Sequence, residues 1–121
     1  MFFELKASIL VVDDDEDIRF FFSNVLSKND YYIVTAENGK NAISELKERN
    51  FDLAILDYML PDIQGNELAN ELKNIKEDLN YVFVTGYSQG LLEIGIPHNL
   101  IVEKPVFHKE LLTLVNNRLN L

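Results

Sequence analysis

Short apolar runs alternate along the chain with longer segments of helical period. The runs occupy residues 9–12, 32–36, 53–56, 81–84 and 101–102 and are rich in β-branched and aromatic side chains, as strands buried on both faces of a sheet should be. Between them, apolar residues recur every three or four positions in residues 17–28, 42–50, 68–75 and 111–119, which indicates amphipathic helices. Residues 88–95 carry a weaker pattern interrupted and flanked by glycines, which predicts a short or irregular fourth helix.

Five strands alternating with helices predict an α/β domain with a five-stranded parallel sheet and helices on both faces. The length of 121 residues fits a single domain spanning residues 1–121. Right-handed crossovers would place the carboxyl ends of all strands at one edge, where such folds carry their sites.

Composition narrows the class of protein. A formal net charge of -9 argues against nucleic acid or an anionic membrane as the main partner. The chain has no cysteine, which excludes disulfides, thiol catalysis and cysteine-based zinc sites, and is compatible with a reducing cytoplasm. The apolar runs are too short to span a bilayer, and residues 1–6 lack the pattern of a signal peptide. We expect a cytoplasmic globular protein.

Polar residues follow the predicted strands at their carboxyl ends. The first strand is followed by the acidic run 13–17, the third by Asp57, the fourth by Thr85 and the fifth by Lys104. Residues 15–17 fit the first turn of a helix, but Asp13, Asp14 and Asp57 would converge and repel one another unless a cation is present. Oxygen ligands of this kind suit Mg²⁺, and lysine and threonine bind phosphoryl oxygens. The predicted chemistry is phosphoryl transfer to a carboxylate.

The same landmarks resemble those of response-regulator receiver domains from two-component signalling. Residues 9–14 look like the strand with the acidic pair, and residues 57–65 look like the phosphoacceptor loop, with its proline and glycine. Residues 84–86 and 104–106 look like the remaining two motifs. The resemblance covers essentially the whole chain and implies a flavodoxin-like (βα)5 fold.

The resemblance also implies a role for each matching residue. Asp57 would take a phosphoryl group from a phosphohistidine on a sensor histidine kinase or phosphotransfer protein. Asp14, Asp57 and the backbone carbonyl of Met59 would hold Mg²⁺, with Asp13 reaching it through water. Lys104 would pair with Asp57 and then with the phosphoryl group. The peptide bond between Lys104 and the following proline would be cis. Thr85 would bind another phosphoryl oxygen and so report phosphorylation to a downstream protein partner.

Some positions depart from the family pattern. Ile101 stands where the family usually has Tyr or Phe, so the usual threonine–aromatic switch is in doubt, and 18 residues between Thr85 and Lys104 imply a short fourth helix. Met59 and Tyr87 would flank the phosphoryl group without orienting water, which predicts a long-lived phosphorylated form. Phe20 points away from the apolar stripe of its helix and is a candidate contact for the phosphodonor.

Two rival functions stay open. A phosphorylation-independent pseudo-receiver would keep the fold, and Ile101 favours it. A Mg²⁺-dependent phosphatase of the haloacid-dehalogenase type is disfavoured because its second aspartate would stand at Met59. Gly39 and Gly65 are interpreted as turn glycines without a chemical role. The chain ends just after the last predicted helix, without a DNA-binding or enzymatic output module, and is expected to be either a stand-alone receiver or a receiver from a larger regulator or hybrid kinase.

Overall fold

A computed structural model of the chain describes residues 4–121. The strands are β1 Ala7–Val12, β2 Tyr31–Ala36, β3 Leu53–Leu56, β4 Tyr81–Thr85 and β5 Ile101–Glu103. The helices are α1 Glu16–Ser27, α2 Gly39–Glu48, α3 Gly65–Ile75, α4 Ser88–Glu93 and α5 His108–Leu119, with a 3-10 turn at His98–Leu100. Residues 1–3, on which part of the signal-peptide expectation depends, lie outside the described residues.

All five strands are parallel and form one sheet in the order β2-β1-β3-β4-β5. Side chains alternate between the two faces of each strand. In β1, Leu10 and Val12 pack with α2, α3 and α4, whereas Ile9 and Val11 pack with α1 and α5. The predicted α/β architecture, with helices on both faces of a parallel sheet, is confirmed.

The expectation that every strand is buried on both faces is wrong for the two edge strands. β2 exposes Tyr32 and Thr35, and β5 has no fully buried residue, whereas β3 is buried throughout. An edge strand has a neighbour on one side only, and its outer side chains reach solvent. The number and order of strands along the chain are nevertheless as predicted.

The acidic run after β1 begins a helix, as the sequence predicts. Asp15 is the N-cap of α1, and its side chain accepts a hydrogen bond from the N–H of Asp17 at 2.9 Å. Glu16 and Asp17 occupy the first turn, where carboxylates interact favourably with the helix dipole. The fourth helix is short, as expected, although Gly90 lies inside it rather than at a break.

The interpretation of Gly39 and Gly65 as turn glycines is wrong. Each is the first residue of a helix, and neither has a positive φ. A Cβ on Gly39 would lie 2.2 Å from the Ile63 side chain, and a Cβ on Gly65 would lie 2.2 Å from the Asp57 carbonyl oxygen. The two glycines allow close approach of other parts of the chain, and Gly65 does so at the candidate site.

The loop between β3 and α3 also caps α2. Both carboxylate oxygens of Asp62 accept hydrogen bonds at 2.9 Å, from the N–H of Gly39 and from the N–H of Lys40. These N–H groups belong to the first turn of the helix, where no intrahelical acceptor is available. The bonds lower the pKa of Asp62 below its ordinary value because they stabilise the carboxylate.

Within residues 4–121, none of the helices has the length and apolar character that crossing a membrane requires.

Candidate functional site

The register of the sheet brings two aspartates side by side. Val12 at the end of β1 pairs with Leu56 at the end of β3, and each is followed by an aspartate. The N–H of Asp57 donates to the Val12 carbonyl at 3.0 Å, so the ladder continues one residue past β3. Asp13 and Asp57 therefore leave the sheet together at its carboxyl edge, and both are buried.

Lys104 joins these two aspartates. Its Nζ lies 2.7 Å from Oδ2 of Asp13 and 2.9 Å from Oδ2 of Asp57. The side chain reaches this position from the residue after β5, where its own N–H donates to the Thr85 carbonyl at 2.9 Å. The following Lys104–Pro105 peptide bond is cis, as predicted.

Burial and pairing shift the pKa values of this cluster. Burial raises the pKa of Asp13 above its ordinary value, and the hydrogen bond from Lys104 opposes that change without cancelling it. Burial alone would lower the pKa of Lys104, but the carboxylates of Asp13 and Asp57 outweigh it and raise the pKa above its ordinary value. The ammonium form of Lys104 is thus stabilised by the carboxylates beside it.

A third carboxylate completes an acidic cluster. Asp13, Asp14 and Asp57 each offer a carboxylate oxygen, and these atoms lie within 4.8 Å of one another. Asp14 is exposed, whereas the other two are buried, so the cluster opens to solvent on one side. Three hard oxygen donors around an accessible point fit a small divalent cation such as Mg²⁺, which keeps part of its water shell.

The loop after Asp57 turns tightly back towards α3. Met59 and Gln64 form an isolated antiparallel bridge, and the N–H of Gly65 donates to the Tyr58 carbonyl at 2.8 Å. The N–H of Met59 lies 3.4 Å from Oδ1 of Asp57, and its side chain is exposed. Met59 is thus in the same loop as the acidic cluster, and the role of its carbonyl stays a prediction.

Thr85 is the last residue of β4, next to β3, and is almost completely buried. Its Oγ1 accepts a hydrogen bond at 3.1 Å from the N–H of Tyr87. The hydroxyl lies at the same edge of the sheet as Asp57 and Lys104, where sequence analysis expected it. Ile101 begins β5 and packs, partly buried, against the core on the side of α2, α3 and α4.

Arg19, for which the sequence pattern predicted no role, contacts the first loop of the site. Its Nη1 donates to the main-chain carbonyl of Asp13 at 2.8 Å. Arg19 lies in the first turn of α1, and helical side chains point towards the N-terminus of their helix. That direction is a signal from which the contact with the preceding loop could have been inferred.

An aromatic pair across two loops was likewise not predicted from the sequence. The rings of Tyr58, in the loop after β3, and Tyr87, in the loop after β4, are stacked with centroids 5.9 Å apart and planes at 7°. Because β3 and β4 are neighbours in the sheet, the loops that follow them are neighbours too. Two tyrosines, each two residues past the end of adjacent strands, were the available signal.

The exposed aromatic on α1 is confirmed. Phe20 has 72% of its surface exposed, whereas Phe22, Val25 and Leu26 on the opposite side of the helix are buried. Glu16, Arg19 and Ser23 lie beside it around a shallow depression that Thr35 of β2 also lines.

Comparison with known proteins agrees with this geometry. The family model for the response regulator receiver domain matches residues 9–116. The chain belongs to this family. Its members are signalling modules of two-component systems rather than metabolic enzymes.

The relatives include both short and longer proteins. The response regulator receiver protein CpdR of Brucella abortus is 34% identical over 102 residues, which cover 83% of this chain and 85% of CpdR. The response regulator SaeR of Staphylococcus aureus is 30% identical over 114 residues, which cover 92% of this chain and 50% of SaeR. The receiver domain thus spans about half of the longer relative.

Solved structures share the fold closely. A CheY-like receiver domain protein from Methanospirillum hungatei superposes with a TM-score of 0.84 at 29% identity, covering 97% of this chain and 95% of that one. The response regulator TrrA of Thermotoga maritima, solved in complex with Mg²⁺-BeF, gives a TM-score of 0.80 at 34% identity and covers 92% of this chain and 97% of TrrA.

Proposed function

We propose that this receiver domain accepts a phosphoryl group on Asp57 from a phosphohistidine of a sensor histidine kinase or phosphotransfer protein. The observation that carries the proposal is the position of Asp57, whose carboxylate is held by Lys104 at 2.9 Å within a cluster of three acids. A carboxylate oxygen of Asp57 attacks phosphorus, the P–N bond breaks, and the imidazole nitrogen keeps the electron pair. The product is an acyl phosphate.

Mg²⁺ fits the donor set. Asp14, Asp57 and the carbonyl of Met59 would hold it, and Asp13 would reach it through water. When bound, the ion supplies positive charge beside the oxygens of the transferred group. Lys104 contributes a fixed ammonium on the other side of Asp57, and Thr85 offers a hydroxyl from the adjacent strand, so that the phosphoryl oxygens have donors already in place.

The proposed role requires the Thr85 hydroxyl to change its hydrogen-bond partner after phosphorylation. The Thr85 hydroxyl would leave the N–H of Tyr87 to donate to a phosphoryl oxygen, and the loop after β4 would move with it. A downstream protein would recognise the altered surface. Sensor kinases obtain their phosphoryl group from ATP, so the proposal includes a cytoplasmic location.

Incubation with Mg²⁺ and acetyl phosphate, followed by intact mass measurement, tests the proposal. We expect a mass gain of one phosphoryl group on the wild type and none on Asp57→Ala. The gain should need Mg²⁺ and should be lost when the metal is chelated. Absence of any gain, together with no spectral change on adding Mg²⁺ and beryllofluoride, would instead favour a pseudo-receiver that works without phosphorylation.

A further inference from the structure

The Tyr58–Tyr87 stack lies between the phosphoacceptor loop and α4. Tyr58 directly follows Asp57 and is 7% exposed, whereas Tyr87 lies two residues after Thr85 and is 53% exposed. The inner ring belongs to the core that α2, α3 and α4 build on their side of the sheet. The outer ring covers the ring of Tyr58, and Tyr87 itself immediately precedes the first residue of α4.

Gly90 provides the space that the pair occupies. A Cβ at this position would lie 2.5 Å from the ring of Tyr87 and 3.1 Å from the ring of Tyr58. Glycine inside a helix is unfavourable by comparison with alanine, so its presence in α4 needs a reason. The two rings lie where its Cβ would be, which provides that reason.

The same tyrosine also holds Thr85. The N–H of Tyr87 donates to Oγ1 of Thr85 at 3.1 Å, while the ring of Tyr87 stacks on Tyr58. Ring and N–H belong to one residue, so a movement of the Tyr87 main chain that takes the N–H away from the Thr85 hydroxyl also shifts the ring on Tyr58. The state of the stack and the orientation of that hydroxyl are therefore coupled.

β5 offers no aromatic side chain for this purpose. Its residues are Ile101, Val102 and Glu103, and Ile101 packs against the same core as Tyr58. An aliphatic side chain lacks the planar surface on which a neighbouring ring can stack. Among the described aromatic residues, Tyr87 combines a ring that is stacked beside the site with an N–H that donates to Oγ1 of Thr85.

We propose that Tyr87 is a positioning residue whose stack on Tyr58 holds the Thr85 hydroxyl in its resting orientation, so that phosphorylation of Asp57 has to open the stack and thereby moves α4. The inference depends on the proposed function, because it describes how the occupied state of Asp57 reaches the surface. A contact that stabilises only the resting state lowers the apparent affinity for any ligand that requires the other state.

The affinity for beryllofluoride in the presence of Mg²⁺ measures that effect. Aromatic pairs contribute an amount that corresponds to about a twofold to tenfold change in an equilibrium constant. We expect Tyr87→Ala to bind beryllofluoride about two to ten times more tightly than the wild type, and Tyr87→Phe, which keeps a ring, to bind as the wild type does. Tyr32→Ala, which removes an exposed tyrosine on the far edge strand, is the matched control. Unchanged or weaker binding by Tyr87→Ala would overturn the proposal.

Tyrosine ring resonances report the stack directly. With ¹³C-labelled tyrosine, the Tyr58 resonance of the wild type should move, on adding Mg²⁺ and beryllofluoride, to its position in Tyr87→Ala. If the amide of Asp57 responds while the Tyr58 ring does not, the role of Tyr87 is refuted and the proposed function stands. If neither responds, both are refuted.

Gly90→Ala tests the same point without altering a tyrosine. The added Cβ would displace the Tyr87 ring, so the variant should show the tighter beryllofluoride binding and the shifted Tyr58 resonance of Tyr87→Ala. Gln89→Ala is the control, since it places the same residue at an exposed position of the same helix. In a Tyr87→Ala background, Gly90→Ala should change the affinity less than twofold. An equal effect in both backgrounds would show that Gly90 acts through helix stability rather than through the stack.

Discussion

Replacing Gly65 by alanine should distort the loop that carries Asp57. The N–H of Gly65 donates to the Tyr58 carbonyl at 2.8 Å, which closes the loop that carries Asp57. A Cβ on this residue would lie 2.2 Å from the Asp57 carbonyl oxygen and 2.8 Å from the Cα of Tyr58. Both neighbours are main-chain atoms, so no change of side-chain rotamer relieves the overlap.

The geometry sets the size of the effect. Bringing the 2.2 Å contact out to at least 3.0 Å requires the two segments to separate by about 0.8 Å. Added methyl groups in closely packed sites cost about 1–3 kcal/mol, and the better helix propensity of alanine offsets at most about 1 kcal/mol of that. We expect the free energy of unfolding of Gly65→Ala to fall by about 1–2 kcal/mol. Because such a shift misplaces Asp57, its phosphorylation should slow by roughly tenfold to a hundredfold.

Urea unfolding and the time course of the mass gain with acetyl phosphate measure the two effects separately. Gly86→Ala is the matched control, because this glycine also lies in a loop at the carboxyl edge of the sheet and has open space where its Cβ would be. The close-approach explanation would be refuted if Gly65→Ala unfolded at the same urea concentration as Gly86→Ala and were phosphorylated at the same rate.

Three other variants test separate parts of the structure. Asp62→Ala should lower stability at neutral pH by about 1 kcal/mol, as loss of a helix cap does. The folded-state pKa of Asp62 is lowered below its ordinary value of 3.8. The contribution of its carboxylate to stability is therefore present above pH 3.8 and is lost as the pH falls through the folded-state pKa. The gap between the unfolding curves of variant and wild type should narrow in acid, and a constant gap would contradict this. Phe20→Ala should slow transfer from a cognate kinase and leave phosphorylation by acetyl phosphate unchanged, and equal slowing of both would exclude a docking role. The double variant Met59→Asn/Tyr87→Glu should lose its phosphoryl group faster than the wild type, measured by intact mass after removal of the donor; an equal or slower rate would show that these side chains do not protect the acyl phosphate from water.

Local sequence patterns were sufficient to predict the sheet and the position of the acidic cluster. The apolar runs that end at Val12 and Leu56 mark buried strands, and in a parallel sheet the residues after such strands meet at one edge. Asp13, Asp57 and Lys104 could therefore be grouped before their distances were known. Strand alternation also predicts that Leu10 and Ile9 face opposite cores, which the structure shows.

Contacts that depend on the detailed approach of two loops were not predictable in the same way. A glycine is favoured both where φ is positive and where another atom leaves no room for a Cβ, so its presence does not distinguish Gly65 from a turn glycine. The side-chain direction of Arg19 and the stacking of Tyr58 on Tyr87 depend on rotamers and on the register between β3 and β4. The positions of these residues in the sequence indicate which loops they can reach, but period and composition do not give the geometry of the contacts.

The charge of the acidic cluster connects its structure with its chemistry. Asp13, Asp14 and Asp57 with Lys104 have a formal charge of -2, and the raised pKa of Asp13 shows that burial among other carboxylates is unfavourable for its ionised form. Replacing such acids by apolar residues of similar size often costs no stability, so stability alone does not account for a buried acidic pair beside an exposed aspartate. A divalent cation would balance the charge, because two positive charges match the two that Lys104 leaves uncompensated. A cluster whose charge is unfavourable without a cation and balanced with one is expected of a metal-assisted phosphoacceptor. This cluster therefore supports the proposed function, whereas the net charge of -9 spread over the whole chain does not.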